Sequence, residues 1–359
     1  LSGENMRLNH IDQMKAIAVL CMVEVHTAAI MPPEGISVGH PAAFVAAAFG
    51  GMAAPLFVTL SGWGIHRGAQ RRFAENFNNS AWIDWVLPRV VLLTVCQFLV
   101  NILLNVERGG RFEWQTPGVL TLLAIAALLA PLLSRLSTAN RGIMMTLLMV
   151  TPLALGNLAG PELGWFERVD SIGLVEWLER LILNGTYPAL PWLAFVLLGS
   201  LISDLENNPK QRDSMIALGF AITTGTIAYS AYNNMDWALT EGDAVLTFFP
   251  ATMAFIIVAS TFVLLAEKLL SAYSSTGSEK LSFLEPAGKL TLTIYISHFA
   301  VLGIAAMYME GEPRLELIPA FLVTIGHTLI WIPLAMLHQK YIPEISFENL
   351  LRRKSQSAR

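Results

Sequence analysis

The sequence predicts an all-α, polytopic membrane protein of about ten transmembrane helices with both termini cytosolic. Three observations predict it. Of 359 residues, 54% are hydrophobic and only 14% charged, against roughly 45–50% and about 25% in soluble domains. The mean hydropathy is +0.54. The apolar residues fall in long blocks, among them Val90–Leu104, Val119–Leu133 and Phe249–Leu265, and a helix needs about 20 such residues to cross a bilayer. So little charge cannot coat a soluble surface of this size, which excludes a secreted disulfide scaffold, a nucleic-acid-binding protein and a disordered chain. The net charge of −4 adds no global attraction to phosphate polymers.

Hydropathy between polar breaks puts the spans at 11–31, 43–65, 84–104, 116–134, 142–159, 189–203, 214–232, 244–267, 288–308 and 317–338. The first is not a cleavable signal, because Asp12 and Lys15 interrupt it and Pro32-Pro33 replaces a cleavage site. No repeat and no Gly/Ser linker divides the chain, so residues 1–359 read as one domain. With the N-terminus in the cytosol, 18 Lys and Arg residues fall on the cytosolic side and five, Arg108, Arg111, Arg168, Arg180 and Arg314, on the other. The positive-inside rule favours that orientation. Trp82 and Trp85 at one interface, with Trp114, Trp165 and Trp177 at the other, fit an aromatic belt. In the outer loop 161–188, Ile172, Val175, Leu178, Leu181 and Ile182 recur at helical spacing and predict an amphipathic interfacial helix. The same loop carries a glycosylation sequon, Asn184-Gly185-Thr186. The tail 342–359 is cytosolic, its Arg352-Arg353-Lys354 run suited to anionic lipid. Cys21 and Cys96 lie inside spans and read as apolar fillers, with neither a disulfide nor a metal site implied.

An ionisable side chain at membrane depth is costly and therefore a functional candidate. The first span holds the densest set: Asp12, Lys15, Glu24 and His26. Lys15 and His26 are eleven residues apart, about three helical turns, so they share one face roughly 16 Å apart along the axis. Asp12 lies on the same stripe and can orient Lys15. A cation at the cytosolic end and an imidazole deeper on the same face suit a ligand with an anionic head and a long thin arm. Coenzyme A has that shape, its phosphates pairing with Lys15 and Arg89 and its thioester reaching His26. Histidine is the usual general base for acyl transfer. The alternative is a snorkelling Lys15 and a hydrogen-bonded core His26. His40, in the short loop after the first span, can fold back over His26. His298 lies mid-span and needs a polar partner, whereas His327 has no company in the sequence and reads as packing. No G-x-S-x-G, P-loop, G-x-G-x-x-G or H-E-x-x-H motif occurs.

Four segments in order, RLNHIDQMKAIAVLCMVEVH at 7–26, PLFVTLSGWGI at 55–65, YPALPWLAFVLLGSLI at 187–202 and GKLTLTIYISHFAVL at 288–302, resemble the transmembrane acyltransferase superfamily. The tyrosine-proline run resembles the heparan-α-glucosaminide N-acetyltransferase catalytic domain and its prokaryotic relatives. The Lys15-to-His26 spacing resembles the acyltransferase-3 family. The resemblance implies a membrane enzyme that carries acetyl from cytosolic acetyl-CoA to a sugar or glycan across the bilayer, with no metal. It implies catalytic work for His26 or His40 and a phosphate contact at Arg89. Lys15 stands where arginine is commoner, which keeps the charge and gives up the bidentate fork.

The expectation is therefore an acetyl-CoA-dependent acetyltransferase. His26 and His40 are its catalytic residues, Lys15 and Arg89 hold the donor, and Asp12 and His298 support the site or bind the acceptor. Its partners are acetyl-CoA, a sugar or glycan amine or hydroxyl, and the lipid bilayer, with no nucleic acid; a homodimer stays open. The rival is a proton-coupled secondary transporter, suited by the buried ionisable residues but lacking symmetry between the two halves of the chain.

Overall fold

The computed structural model describes residues 8–36, 40–75, 78–276, 280–308 and 315–356. Arg7, Arg314 and Arg359, used in the charge count, lie outside the described residues, as do the side chains of Arg353 and Lys354. The protein is an all-α membrane bundle. In chain order it comprises α1 (Asn9–Ile30), α2 (Pro41–Ala74), α3 (Asn79–Leu103), α4 (Val119–Leu133), α5 (Thr138–Leu155), α6 (Trp165–Val169), α7 (Gly173–Glu179), α8 (Ala189–Leu205), α9 (Pro209–Asn233), β1 (Asp236–Glu241) and β2 (Ala244–Phe249). Then come α10 (Met253–Ser275), α11 (Glu285–Lys289), α12 (Thr291–Tyr308), α13 (Leu317–Tyr341) and α14 (Phe347–Gln356). The end of the bundle holding the start of α1 is called lower here, and the opposite end upper.

Helix starts follow local chemistry. The side chains of Asn78, Ser137 and Thr252 accept hydrogen bonds from the N–H groups of Ala81, Asn140 and Phe255, satisfying amides that a helix start leaves without partners. Pro209 opens α9, where its missing N–H costs nothing. Each of the ten expected spans has a helix, but their lengths differ. Eight described helices are long and apolar enough to cross a membrane alone, and α7 with its following turn and α8 form a bent pair, 48° apart, that is a ninth if the two count as one span. The tenth, α4, has 15 residues and rises about 22 Å, short of a hydrocarbon core of about 30 Å.

Two boundaries moved for physical reasons. The expected span 244–267 begins as strand β2 and becomes helical only at Met253. Gly242 and Asp243 on one side and Pro250 on the other fence β2 into a short run rich in β-branched and aromatic residues, which favours extended backbone. Hydropathy alone cannot separate such a run from the helix behind it. At the lower end, α2 runs nine residues past the expected limit of 65, to Ala74, so Arg67, Arg71 and Arg72 stand on a rigid helix instead of a loop.

The core is centred on α1, which packs against α2, α10, α11, α12 and α13. Close approach of α2 and α8 depends on small residues: a Cβ on Gly62 would overlap the Val196 carbonyl oxygen, and one on Gly199 would overlap that of Thr59. These are the glycines of the SGWG and LLGS segments. Leu8 at the entry to α1 and Ile11, Met14 and Val19 along it join the same core.

Candidate active site

At the lower end a cavity of about 880 Å³ opens between α1, α2, α3, α12 and α14. Six cationic residues line it, Lys15, Arg67, Arg71, Arg72, Arg89 and Arg352, against one carboxylate, Asp12. Two tryptophans organise four of the cations. Lys15 Nζ lies 5.5 Å and the Arg67 guanidinium 4.9 Å from the Trp63 ring centroid, and Arg72 and Arg89 lie 4.7 and 4.4 Å from that of Trp85. Such cation–π contacts fix the head groups while leaving their hydrogen-bonding edges to other acceptors. Arg89 also donates to the Trp85 carbonyl at 2.5 Å. Buried Asp12 sits 3.8 Å from Lys15. Like charges gathered around a void repel one another in a partly desolvated setting, and an anion relieves that repulsion.

The deep wall of this cavity includes Ala18 and Phe57. Phe57 stacks on Tyr295 of α12, ring centroids 5.5 Å apart, and Tyr295 meets the His26 ring edge-on at 6.2 Å. Two ring contacts, Phe57 to Tyr295 and Tyr295 to His26, link the cavity wall to His26. His26 Nδ1 lies 2.9 Å from Nε2 of His298, which is fully buried, and His298 Nδ1 lies 3.1 Å from the Ile294 carbonyl oxygen.

That chain of contacts assigns the tautomers. A carbonyl oxygen only accepts, so His298 carries its proton on Nδ1 and its Nε2 holds a lone pair. His26 must then donate from Nδ1, and His26 Nε2 is left unprotonated. The backbone of α12 thus presents a basic nitrogen on a half-buried ring, held on its flank by Phe299 at 4.5 Å. A third histidine stands close. Thr27 donates its hydroxyl hydrogen to the Val23 carbonyl at 2.6 Å and so accepts from His327 Nδ1 at 2.8 Å. The His327 and His298 ring centroids are 6.5 Å apart. The expectation that His327 is mere packing is corrected: its partner Thr27 lies 300 positions away in sequence, out of reach of local reading.

Above the histidines the chain builds a hydrogen-bonded cap. Arg111 donates to the Ala29 carbonyl at 2.5 Å, one turn above His26, and Phe112 meets Phe299 at 6.1 Å. Trp165 and Trp177 donate to the carbonyls of Arg111 and Gln115 at 2.9 and 2.8 Å. Arg168, fully buried, donates to the carbonyls of Asn184 and Gly160, and burial pulls its guanidinium down to about 10. The stretch expected to form an interfacial helix is helical over α7, with Ile172 just before it and Leu174 and Val175 within it exposed. The sequon is consumed by structure: Asn184 accepts from Arg180 at 2.8 Å, and Thr186 is buried with its hydroxyl on the Pro117 carbonyl.

The structure thus brings Lys15, Arg89 and Asp12 together at the cavity, and His26 and His298 together above it. His40 stands half-buried at the start of α2, its carbonyl accepting from Phe44 N–H at 3.0 Å. The described ring contacts of His26 are with His298, Tyr295 and Phe299, so α12 supplies its partner. Sequence reasoning missed Arg67, Arg71, Arg72 and Arg352 as cavity residues, and Tyr295 and Phe299 as neighbours of the pair. Placing the end of α2 correctly could have found the first three.

A basic cavity and a histidine pair thus lie along α1 inside a helical membrane bundle. The acyltransferase domain of the acyltransferase-3 family matches residues 8–336, and the chain belongs to that family. A comparison with curated proteins finds no similar chain.

Proposed function

We propose that this acyltransferase moves acetyl from acetyl-CoA, held in the lower cavity, to a hydroxyl or amine of a sugar or glycan reaching His26 from the upper side. The observation that carries the reading is the 2.9 Å contact of His26 Nδ1 with His298 Nε2, on a ring that stands about 16 Å along α1 from Lys15. The positive-inside expectation makes the cavity side cytosolic, where acetyl-CoA is made. Lys15 and Arg89 hold the phosphates, with Arg67, Arg71 and Arg72 around them, and Asp12 orients Lys15. Charge-assisted contacts of this kind are the strong ones for phosphate.

The reaction balances without any metal. His26 Nε2 takes the acceptor proton as its oxygen or nitrogen attacks the thioester carbonyl. The tetrahedral intermediate collapses, the C–S bond breaks, and the thiolate recovers the proton from His26 to leave as free coenzyme A. His298 steadies the imidazolium through the shared hydrogen bond, as an orienting group does in a catalytic triad. His40, half-buried just before α2, is the second candidate for that base.

The test is transfer of radiolabelled acetyl from acetyl-CoA to a panel of amino sugars and glycans in reconstituted membranes. His26→Ala should lose activity by a factor of about 10²–10⁴ while still binding coenzyme A. A folded, donor-binding His26→Ala variant with full activity would remove His26 as the base. Uptake of substrate into vesicles with no acyl donor present would favour transport instead.

A further inference from the structure

The family match ends at residue 336, yet one of the six cations lining the donor cavity, Arg352, comes from α14, which begins at Phe347. We infer that α14 is a working part of the donor site: Glu348 pins it across the start of α12, and Arg352 adds a phosphate contact from outside the matched residues. This inference rests on the reading of the cavity as a coenzyme A site.

The attachment is specific. Glu348 Oε1 accepts from the backbone N–H groups of Leu292 at 2.7 Å and Thr293 at 3.1 Å, and Glu348 Oε2 accepts from the Thr293 hydroxyl at 2.7 Å. The Phe347 N–H donates back to Thr293 Oγ1 at 3.1 Å. A carboxylate on the free amides of a helix N-terminus is a favourable and directional arrangement. Here it fastens one short helix to another instead of capping its own. Arg352 lies four residues after Glu348, one turn along the same face of α14, where its nearest described hydrogen-bond partner is Asn349 Oδ1 at 3.4 Å. Arg352 is exposed and lines the cavity. Thr291, the first residue of α12, lines the same cavity. The helix that receives Glu348 therefore also borders the donor and carries Tyr295 and His298.

An anionic lipid headgroup offers phosphate chemistry too, so the test separates the sources. Coenzyme A binding is measured by calorimetry on the full chain in a neutral detergent, beside Arg352→Ala, Arg352→Lys, Glu348→Gln and a chain ending at Ile345. S-acetylpantetheine, which has the thioester arm and no nucleotide phosphates, serves as the second ligand. The expected result is a loss of about tenfold or more in coenzyme A affinity for Arg352→Ala, part recovery in Arg352→Lys, and a smaller loss for Glu348→Gln. S-acetylpantetheine binding should be unchanged in all three point variants. Coenzyme A should also slow tryptic cleavage between Arg352 and Arg353 in the intact chain.

Wild-type coenzyme A affinity in Arg352→Ala, or equal losses for both ligands, would overturn the role of α14 while leaving the donor reading intact. No coenzyme A binding by the intact chain overturns both. If phosphatidylglycerol vesicles, and not coenzyme A, protect the Arg352–Arg353 bond, the contact belongs to lipid.

Discussion

The two ends of this bundle use the same residue for opposite purposes. At the upper end, Arg168 and Arg180 are buried, and Arg168, Arg180 and Arg111 all donate to backbone carbonyls of the cap. At the lower end, Arg67, Arg72 and Arg89 lie over tryptophan rings around an open cavity whose lining holds a single carboxylate. An arginine whose acceptors come from the fold is structural. An arginine held flat on an aromatic face beside a void keeps capacity for a ligand. Arg72 and Arg89 also donate to carbonyls of their own helices, Gly68 and Trp85, so what separates the two sets is burial at one end and a place on a cavity wall at the other.

Substitutions at the two ends should therefore fail in different ways. The largest effect lies between them. His26→Ala should reduce acetyl transfer by roughly three orders of magnitude with donor affinity kept, measured as turnover beside calorimetry. Next, Arg168→Ala should lower stability in detergent by about 3 kcal/mol, since it removes a fully buried side chain and strips the buried Gly160 and half-buried Asn184 carbonyls of their donor. Denaturant or thermal unfolding reads that loss, and the donor affinity of the folded fraction should not move. Arg89→Ala should behave inversely, weakening acetyl-CoA binding about tenfold while unfolding within about 0.5 kcal/mol of wild type. If Arg89→Ala proved as destabilising as Arg168→Ala, the distinction between the ends would collapse. The smallest effect is expected at His327→Gln. It keeps a donor for Thr27, so transfer should fall less than threefold, a check on whether that histidine merely supports the pair.

Much of the site was legible because one helix carries it. Lys15 and His26 share a stripe of α1 that helical phase alone reveals, and Asp12 falls beside Lys15 by the same rule. Arg89 was legible through resemblance. The histidine pair was not, because its members are 272 positions apart and only the packing of α12 on α1 joins them. Local reading offered only His40 as a neighbour of His26, and long-range packing adds His298. Arg67, Arg71 and Arg72 were hidden by a boundary: hydropathy ends α2 where the membrane ends, whereas the helix continues to Ala74. Arg352 read as a lipid anchor because a basic tail has no other meaning without a tertiary partner. The outer loop shows the converse case. Its helical spacing was visible, but the burial of Arg168 and the use of Asn184 and Thr186 as internal hydrogen-bonding groups were not.

The central claim is that the basic cavity delivers a coenzyme A thioester to His26. Calorimetry of acetyl-CoA with wild type, Lys15→Ala, Arg89→Ala and His26→Ala tests it most directly. The account predicts tight binding to wild type and His26→Ala, and binding weakened about tenfold by loss of either cation. Equal affinity in all four proteins, or no binding to folded wild type at millimolar acetyl-CoA, would contradict it.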